Sequence, residues 1–224
     1  MRQDSKLADC WYRFNFYCLF PSFSLLWSFR SEGSRNVPAE EPLLILANHQ
    51  SFLDPPLIGL TVRRRIWYLA RKTLFDSALL ARYMESMGTL AVDQEGIAKE
   101  GLRASVERLQ AGKALLIFPE GARTPNGEMA PFKPGIALVL KKAPVPILPV
   151  GVAGAYDAYP IRAKLPRFSP LFWPWTGASV AASVGEPIAP SRYQGMQRED
   201  LLTFLFDKVK EQVTRAEKLV RKPA

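Results

Sequence analysis

The chain has 224 residues, of which 48% are hydrophobic and 23% charged, a composition typical of a globular protein with one sizeable core. Two cysteines, Cys10 and Cys18, and a single histidine exclude a disulfide framework and a zinc site of the usual kind, and a reducing compartment fits them best. The formal net charge of +9 indicates an anionic partner, which is nucleic acid, a phosphorylated substrate or an anionic lipid surface.

The first predicted element is the aromatic segment at residues 10–29. Its uncharged part, residues 14–29, is shorter than the roughly 18–20 apolar residues that cross a bilayer, and Pro21 interrupts it. Aromatic residues flank it, as they do at a membrane interface. We therefore expect residues 1–33 to form a short membrane-associating helical segment in the headgroup region, peripheral or monotopic and on the cytoplasmic face. A helix packed on the protein's own core is the alternative.

Predicted strands and helices alternate over residues 34–224, which we expect to form the main domain. The strands are predicted at residues 43–47, 66–70, 88–92, 114–118, 145–152 and 178–184, and the helices at residues 54–62, 73–87, 97–110, 135–141 and from residue 199 onward. The prolines of residues 145–152 place that strand near an edge or a bend. This alternation predicts an α/β fold: a single domain of three αβα layers with a mostly parallel or mixed sheet.

The only histidine lies where the first buried strand of this domain passes into a helix. Asp54 before Pro55 marks the helix start, since Asp suits the N-cap and Pro suits the first helical position. Histidine has a reference pKa of about 6.5, which suits a general base. Where the chain turns in this way, Asp54 can reach the imidazole of His49 and hold one ring nitrogen as a donor. The alternatives are a plain N-cap for Asp54 and a satisfied core residue for His49.

Polar residues also follow three other predicted strands. They are Arg71 and Lys72, Asp93 and Gln94, and Glu120 and Arg123. The carboxyl ends of strands in an open α/β sheet can converge on one crevice. Gly121 allows the backbone to approach a ligand closely, and arginine is suited to bind phosphate through two parallel hydrogen bonds.

Five motifs in this order resemble those of the glycerolipid acyltransferases. Residues 48–54 match NHxxxxD, and residues 118–123 match FPEGTR with Ala122 in place of Thr. Residues 132–135 and 145–150 resemble the FKxGA and VPIVPV segments, and residues 88–93 resemble a stretch that ends in Asp-Arg in the family. The resemblance covers about residues 30–190, and within the family the chain is most similar to the enzymes that acylate 1-acyl-sn-glycerol 3-phosphate.

The resemblance implies acyl transfer from acyl-CoA or acyl carrier protein to the free hydroxyl of lysophosphatidate, which yields phosphatidate in phospholipid biosynthesis. It implies no cofactor besides this thioester donor and no metal. His49 would be the base and Asp54 would orient it, as in a serine hydrolase with substrate oxygen in place of serine. The acceptor would be bound by four residues: Lys72, Glu120, Gly121 and Arg123. The expected partners are an anionic membrane surface, a lysophospholipid acceptor and the acyl donor, and not nucleic acid.

Gln94 stands where the family has Arg, so one expected phosphate-binding cation is missing. Either Arg71 and Lys72 supply the charge, or the acceptor is another lysophospholipid, glycerol 3-phosphate or an amino-acid lipid. If the acceptor is a phosphomonoester, Gln94→Arg should tighten its binding roughly tenfold. A catalytically silent lipid-binding protein is the remaining alternative, and the intact pair of His49 and Asp54 argues against it.

Overall fold

One sheet runs through the molecule. The computed structural model describes residues 6–39, 42–92, 97–172 and 177–221. Within these ranges the strands are β1 (Arg30–Glu32), β2 (Leu43–Ala47), β3 (Trp67–Arg71), β4 (Thr89–Val92), β5 (Ala114–Ile117), β6 (Ile147–Ala153) and β7 (Ala181–Val184). Their order in the sheet is β1-β7-β6-β2-β5-β3-β4, and each neighbouring pair is parallel except β6 and β7.

Helices cover both faces of the sheet. They are α1 (Lys6–Trp27), α2 (Asp54–Val62), α3 (Ala78–Ser86), α4 (Ile97–Gln110), α5 (Gly135–Lys142), α6 (Ala155–Ala158) and α7 (Arg198–Leu219). The central strand β2 is fully buried, and alternate side chains point to opposite faces. Leu43 and Ile45 pack with α1 and α2, whereas Leu44 and Leu46 pack with α4, α5 and α7. The predicted three-layer α/β fold is confirmed.

Several elements lie where the sequence places them. The strand at residues 43–47 and the helix at residues 97–110 have the predicted bounds. The apolar stripe predicted on the last helix is buried in the structure and consists of Leu201, Leu205, Val209 and Val213. These segments have strong periodicity and clear end signals, which is why the sequence locates them well.

The interior position of β6 contradicts the edge predicted from its prolines. β6 lies between β7 and β2. The carbonyl oxygen of Pro149 accepts a hydrogen bond from Gly185 N at 2.9 Å, so the backbone of Pro149 faces the β7 side. Val150 pairs with Val184, the last residue of β7, so the missing N–H of Pro149 falls just beyond the end of that strand. The proline therefore leaves out only the reciprocal hydrogen bond at the end of the ladder between β6 and β7.

The segment after β3 also differs from its prediction. Instead of one helix at residues 73–87, a 3-10 helix at Lys72–Phe75 precedes α3. The inner face predicted for this helix included Leu79 and Tyr83, but both side chains are exposed. That part of the prediction is wrong because periodicity locates an apolar stripe without showing what covers it.

The amino-terminal part of the described chain is one long helix joined to the sheet. α1 contains Pro21, and its described residues include no stretch long and apolar enough to cross a membrane; nor do those of any other described helix. β1, which the sequence did not predict, pairs with β7 in parallel. Residues 30–32 of the predicted amino-terminal segment therefore belong to the sheet, while the domain boundary at residue 33 stays a prediction.

Candidate active site

The polar residues identified in the sequence gather at one edge of the sheet. β2, β5, β3 and β4 are successive neighbours and all parallel, so their carboxyl ends meet at this edge. His49 follows β2, Glu120 follows β5, and Arg71 ends β3. The candidate residues after β4, Asp93 and Gln94, lie outside the described residues.

His49 and Asp54 form a hydrogen-bonded pair. Nδ1 of His49 lies 2.8 Å from Oδ2 of Asp54, whose side chain is fully buried, whereas that of His49 is 19% exposed. Within the described residues the second ring nitrogen, Nε2, has no hydrogen-bond partner. A carboxylate that accepts from Nδ1 fixes the tautomer in which Nε2 carries a lone pair. The pair thus has the arrangement of a general base and the residue that orients it.

The carboxylate of Asp54 also holds the loop that precedes α2. Oδ2 accepts hydrogen bonds from the backbone N–H groups of Gln50 at 2.5 Å and Ser51 at 2.7 Å. Asp54 is the first residue of the helix, its N-cap is Leu53, and no side chain caps it. The plain N-cap interpretation of Asp54 is therefore wrong, because its hydrogen bonds run back to residues 49–51.

Burial raises the pKa of the Asp54 carboxyl, and the hydrogen bond from His49 and the backbone donors oppose that increase. Burying a carboxylate without a partner costs free energy, and an imidazolium ion is a partner of opposite charge. When the ring takes a proton, its positive charge is therefore paired with the carboxylate of Asp54.

The turn after β5 surrounds His49. The imidazole stacks on the ring of Phe118, with centroids 3.9 Å apart and an interplanar angle of 11°. Glu120 Oε1 accepts the backbone N–H of His49 at 2.6 Å, and Thr124 donates its N–H to the carbonyl of His49 at 2.8 Å. The second motif thus fixes the ring and the backbone of the residue supplied by the first motif. Sequence reasoning assigned no role to Phe118, although its place in the second motif was a signal.

Glu120 bridges two loops through its carboxylate. Its second oxygen, Oε2, accepts the N–H of Ala130 at 2.8 Å, and the side chain is buried. Burial raises the pKa of Glu120 to about 7, while the two backbone donors oppose the increase. The sequence assigned Glu120 to acceptor binding, but both of its oxygens are engaged by backbone N–H groups. The geometry is that of a positioning residue.

Asn48 fixes the start of the same loop. Its side chain donates to the carbonyl of Val152 at 2.9 Å and accepts from the N–H of Val152 at 2.8 Å. Ser51 Oγ donates to the carbonyl of Tyr159 at 2.8 Å. These bonds tie the residues around His49 to β6 and to the chain that follows α6, so the loop has little freedom to move.

Two arginines lie together beside the pair. The guanidinium carbon of Arg123 is 3.6 Å from the ring centroid of Phe52, a close cation–π contact. Burial, and then the charge of the neighbouring Arg71, lower the pKa of Arg123. Two cations held near one another are stabilised when an anion binds between them. Lys72, the other predicted cation, is exposed in the 3-10 helix after β3.

Gly121 has a positive φ of 77°, a conformation that favours glycine. A Cβ atom at this position would lie 2.7 Å from Nζ of Lys133, so the lysine side chain extends directly across the glycine. The backbone N–H of Lys133 also donates to the carbonyl of Pro119 at 2.8 Å. Lys133 is a further cation at this edge that sequence reasoning did not single out, although the FKxGA resemblance contained it.

Cys10 and Cys18 are free and exposed on α1. Across the described ranges, no three His, Cys, Asp or Glu side chains come together in a group able to hold a metal ion.

Two curated proteins are similar to this chain in sequence. The 1-acyl-sn-glycerol-3-phosphate acyltransferase of Saccharomyces cerevisiae is 34% identical over 128 residues, covering 54% of this chain and 41% of the relative. The human 1-acyl-sn-glycerol-3-phosphate acyltransferase alpha is 32% identical over 134 residues, covering 57% of this chain and 46% of the relative. The matched regions thus span less than half the length of these curated relatives.

A solved structure and a family model agree with these relatives. The crystal structure of the 1-acyl-sn-glycerophosphate acyltransferase PlsC from Thermotoga maritima superposes with a TM-score of 0.70 and 26% identity, covering 95% of this chain and 79% of that one. The model of the family described as Acyltransferase matches residues 28–153, more than half of the chain and the part that carries the pair of His49 and Asp54. The chain belongs to the acyltransferase family.

Proposed function

We propose that this chain transfers a fatty acyl group from a thioester, carried by coenzyme A or acyl carrier protein, to the free hydroxyl of lysophosphatidate, giving phosphatidate. The observation that carries the proposal is the contact of 2.8 Å between His49 and Asp54 at the carboxyl end of the sheet, where the charge of Asp54 also acts on Arg123. The names of the yeast, human and Thermotoga relatives support the same acceptor.

In the proposed reaction, Nε2 of His49 takes the proton of the acceptor hydroxyl while its oxygen attacks the thioester carbonyl. The tetrahedral intermediate expels the thiolate, which recovers the proton from the imidazolium and leaves as a thiol. One ester bond forms and one thioester bond breaks. Asp54 holds the ring through Nδ1 and stabilises its charged form. The acceptor oxygen is the nucleophile, so no acyl-enzyme is needed.

We assign the acceptor phosphate to Arg123 and Arg71. Arg123 stacks on Phe52, which restricts its guanidinium, and the charge of Arg71 acts on it. Arginine binds phosphate through two parallel hydrogen bonds, and a pair of cations suits a doubly charged phosphomonoester. Lys72 and Lys133 add positive charge at the same edge. Glu120 then acts indirectly, by holding His49 in place.

We further propose that α1 holds the protein on an anionic membrane, where the acceptor lipid is found. Several of its large apolar side chains are exposed, among them Leu7, Phe14 and Tyr17. An exposed aromatic and aliphatic helix combined with a strongly basic chain fits the interface of a membrane that contains anionic lipid. The free thiols of Cys10 and Cys18 fit the reducing cytoplasmic face.

The test is an acyl-transfer assay with acyl-CoA and acyl carrier protein as donors. The acceptors are lysophosphatidate, a zwitterionic lysophospholipid, glycerol 3-phosphate and a lyso amino-acid lipid, and products are identified by mass spectrometry. We expect phosphatidate as the main product. A larger kcat/KM for another acceptor would contradict the acceptor assignment. The absence of product from every pair of substrates would contradict the enzymatic proposal and favour a silent lipid-binding protein.

A further inference from the structure

The segment at residues 161–172 lies against the end of α1. The backbone N–H groups of Ser169 and Leu171 donate to the carbonyls of Leu26 and Leu25, each at 2.9 Å. Trp27 Nε1 donates to the carbonyl of Arg167, and Ser28 Oγ to that of Ser169, both at 2.8 Å. The segment forms no helix or strand, yet these four bonds hold it next to α1.

Large apolar side chains of this segment point to solvent. Leu165 is 78% exposed and Phe172 is 81% exposed. Three more of its large apolar residues are also exposed: Ile161, Phe168 and Leu171. Leu25 and Leu26, whose carbonyls hold the segment, are themselves exposed, so the apolar surface continues onto α1. A continuous exposed apolar surface of this kind marks an interaction site.

Basic residues alternate with these apolar ones. Arg162, Lys164 and Arg167 are all exposed, and the sequence has no Asp or Glu from residue 158 to residue 185. Apolar side chains that enter an interface, combined with cations at headgroup level, are the features that bind a protein to anionic lipid. The charge fits an acidic protein as well, but the continuity with the exposed apolar residues of α1 favours a lipid surface.

The same segment begins beside the candidate active site. Tyr159 accepts a hydrogen bond from Ser51, and its ring lies 6.1 Å from that of Phe52, which covers Arg123. Arg167 N donates to the carbonyl of Ala158 at 2.7 Å, so the segment folds back toward Tyr159. A lipid surface on the segment would therefore lie next to the candidate active site.

We propose that residues 161–172 extend the lipid-contacting surface of α1 and bind anionic phospholipid headgroups through Arg162, Lys164 and Arg167. Leu165 and Phe172 enter the interfacial region, which places the candidate active site next to the membrane. The role of this surface in delivering the acceptor rests on the proposed function, whereas lipid binding by the segment does not depend on the chemistry of the candidate active site.

The test is co-sedimentation of the full chain with vesicles of phosphatidylcholine and phosphatidylglycerol. The double variant Leu165→Ser/Phe172→Ser should lower the partition coefficient of the protein into the vesicles about tenfold or more. The reason is that two large apolar side chains are no longer transferred from water into the membrane interface. The matched control is Leu138→Ser, since Leu138 is 47% exposed but lies on α5, on the opposite face of the sheet. We expect this control to bind as the unaltered chain does.

A second pair of variants tests the charges. Arg162→Gln/Lys164→Gln should weaken binding to vesicles with phosphatidylglycerol, and the effect should shrink at high salt. The control Lys141→Gln/Lys142→Gln removes two exposed charges from α5 and should have less effect than the segment variant. Thermal unfolding measured on all variants identifies any that fail to fold, and the charge variants and apolar variants test the surface independently of each other.

Equal vesicle binding by the segment variants and their α5 controls would overturn the proposal. The proposal would also be overturned if the segment variants bound vesicles normally but lost activity only with the acyl carrier protein donor. That result would assign the surface to an acidic protein. Activity toward a monomeric short-chain lysophosphatidate, which does not have to be taken from a membrane, tests acyl transfer separately from lipid binding. If the variants lose vesicle binding, the lipid surface is supported even where the unaltered chain transfers no acyl group to any acceptor.

Discussion

The loops around His49 and the surface formed by α1 with residues 161–172 lie side by side, but they are built in different ways. Around His49 many polar side chains are hydrogen-bonded to backbone: Asp54 and Glu120 each accept two backbone N–H groups, and Asn48 binds β6 twice. The neighbouring surface instead leaves large apolar side chains in solvent. One region is fixed before any ligand arrives, and the other offers a surface that only a partner can cover.

This contrast indicates a separate role for each region, catalysis for the first and lipid contact for the second. A general base must be held within a fraction of an ångström of its productive position, which favours a loop with many hydrogen bonds. Contact with a fluid lipid surface needs apolar area and charge but no fixed geometry. Substitutions among the residues that hold His49 should therefore lower kcat, and substitution of Arg123, which we assign to the acceptor phosphate, should mainly raise KM.

The largest effect in this set is expected from Asp54→Asn. An amide cannot replace a carboxylate that accepts from His49 and from two backbone N–H groups, and it favours the wrong imidazole tautomer. The kcat for acyl transfer should fall about 10²–10⁴-fold. The control is Asp157→Asn, an exposed residue of α6. Equal activity of the two variants would show that Asp54 does not act on the base.

Glu120→Gln should have a smaller effect on kcat. The amide group of glutamine would face one of the two N–H donors, and leaving a buried donor without an acceptor costs about 1–3 kcal/mol. Displacement of the His49 backbone should then lower kcat about tenfold while leaving KM for the acceptor nearly unchanged. Glu128→Gln, in an exposed position of the same loop, is the control. A change mainly in KM would instead place Glu120 in contact with the acceptor.

Arg123→Gln should act mainly on the acceptor. A hydrogen bond to a charged group contributes about 1.5–3 kcal/mol, so KM for lysophosphatidate should rise about tenfold or more, with less change in kcat. Arg123→Lys should recover part of the affinity, because lysine keeps the positive charge but cannot form the two parallel hydrogen bonds of arginine. Arg103→Gln on α4 removes a highly exposed arginine and serves as control. An unchanged KM would remove Arg123 from the phosphate site.

The smallest effect concerns the stability of the fixed region as a function of pH. Burial raises the pKa of Glu120 from 4.5 to about 7, so the folded protein binds its proton more tightly than the unfolded chain does. The stability that Glu120 contributes is therefore fully present below about pH 4.5 and is lost as pH rises through 7. Relative to Glu120→Gln, the unaltered protein should lose about 1–3 kcal/mol of unfolding free energy between pH 4.5 and pH 8 in urea titrations. Parallel pH profiles would contradict the raised pKa.

The sequence predicted the fold and the central pair because both depend on local signals. The apolar run of β2 and the proline after Asp54 locate the strand, the turn and the helix start, and the turn brings His49 within reach of Asp54. Parallel strands then bring Glu120 and Arg123 to the same edge whatever their distance in the chain.

The parts that the sequence missed depend on contacts between distant residues. The position of Pro149 is harmless only because β7 ends beside it, and the length of β7 is not encoded near Pro149. Likewise, the two N–H partners of Glu120 come from residues 71 positions before it and 10 positions after it. The motif predicted that Glu120 lies in the site, but not that both of its carboxylate oxygens accept backbone N–H groups.

The central claim is that His49 is the base for acyl transfer to a phosphorylated lipid acceptor. Its most direct test is the rate of phosphatidate formation by the unaltered chain and by His49→Ala, with lysophosphatidate binding measured separately on both. We expect kcat to fall about 10²–10⁴-fold while acceptor affinity survives, because the base acts on the transition state. A variant that folds, binds the acceptor and keeps more than about a tenth of the rate would contradict the account.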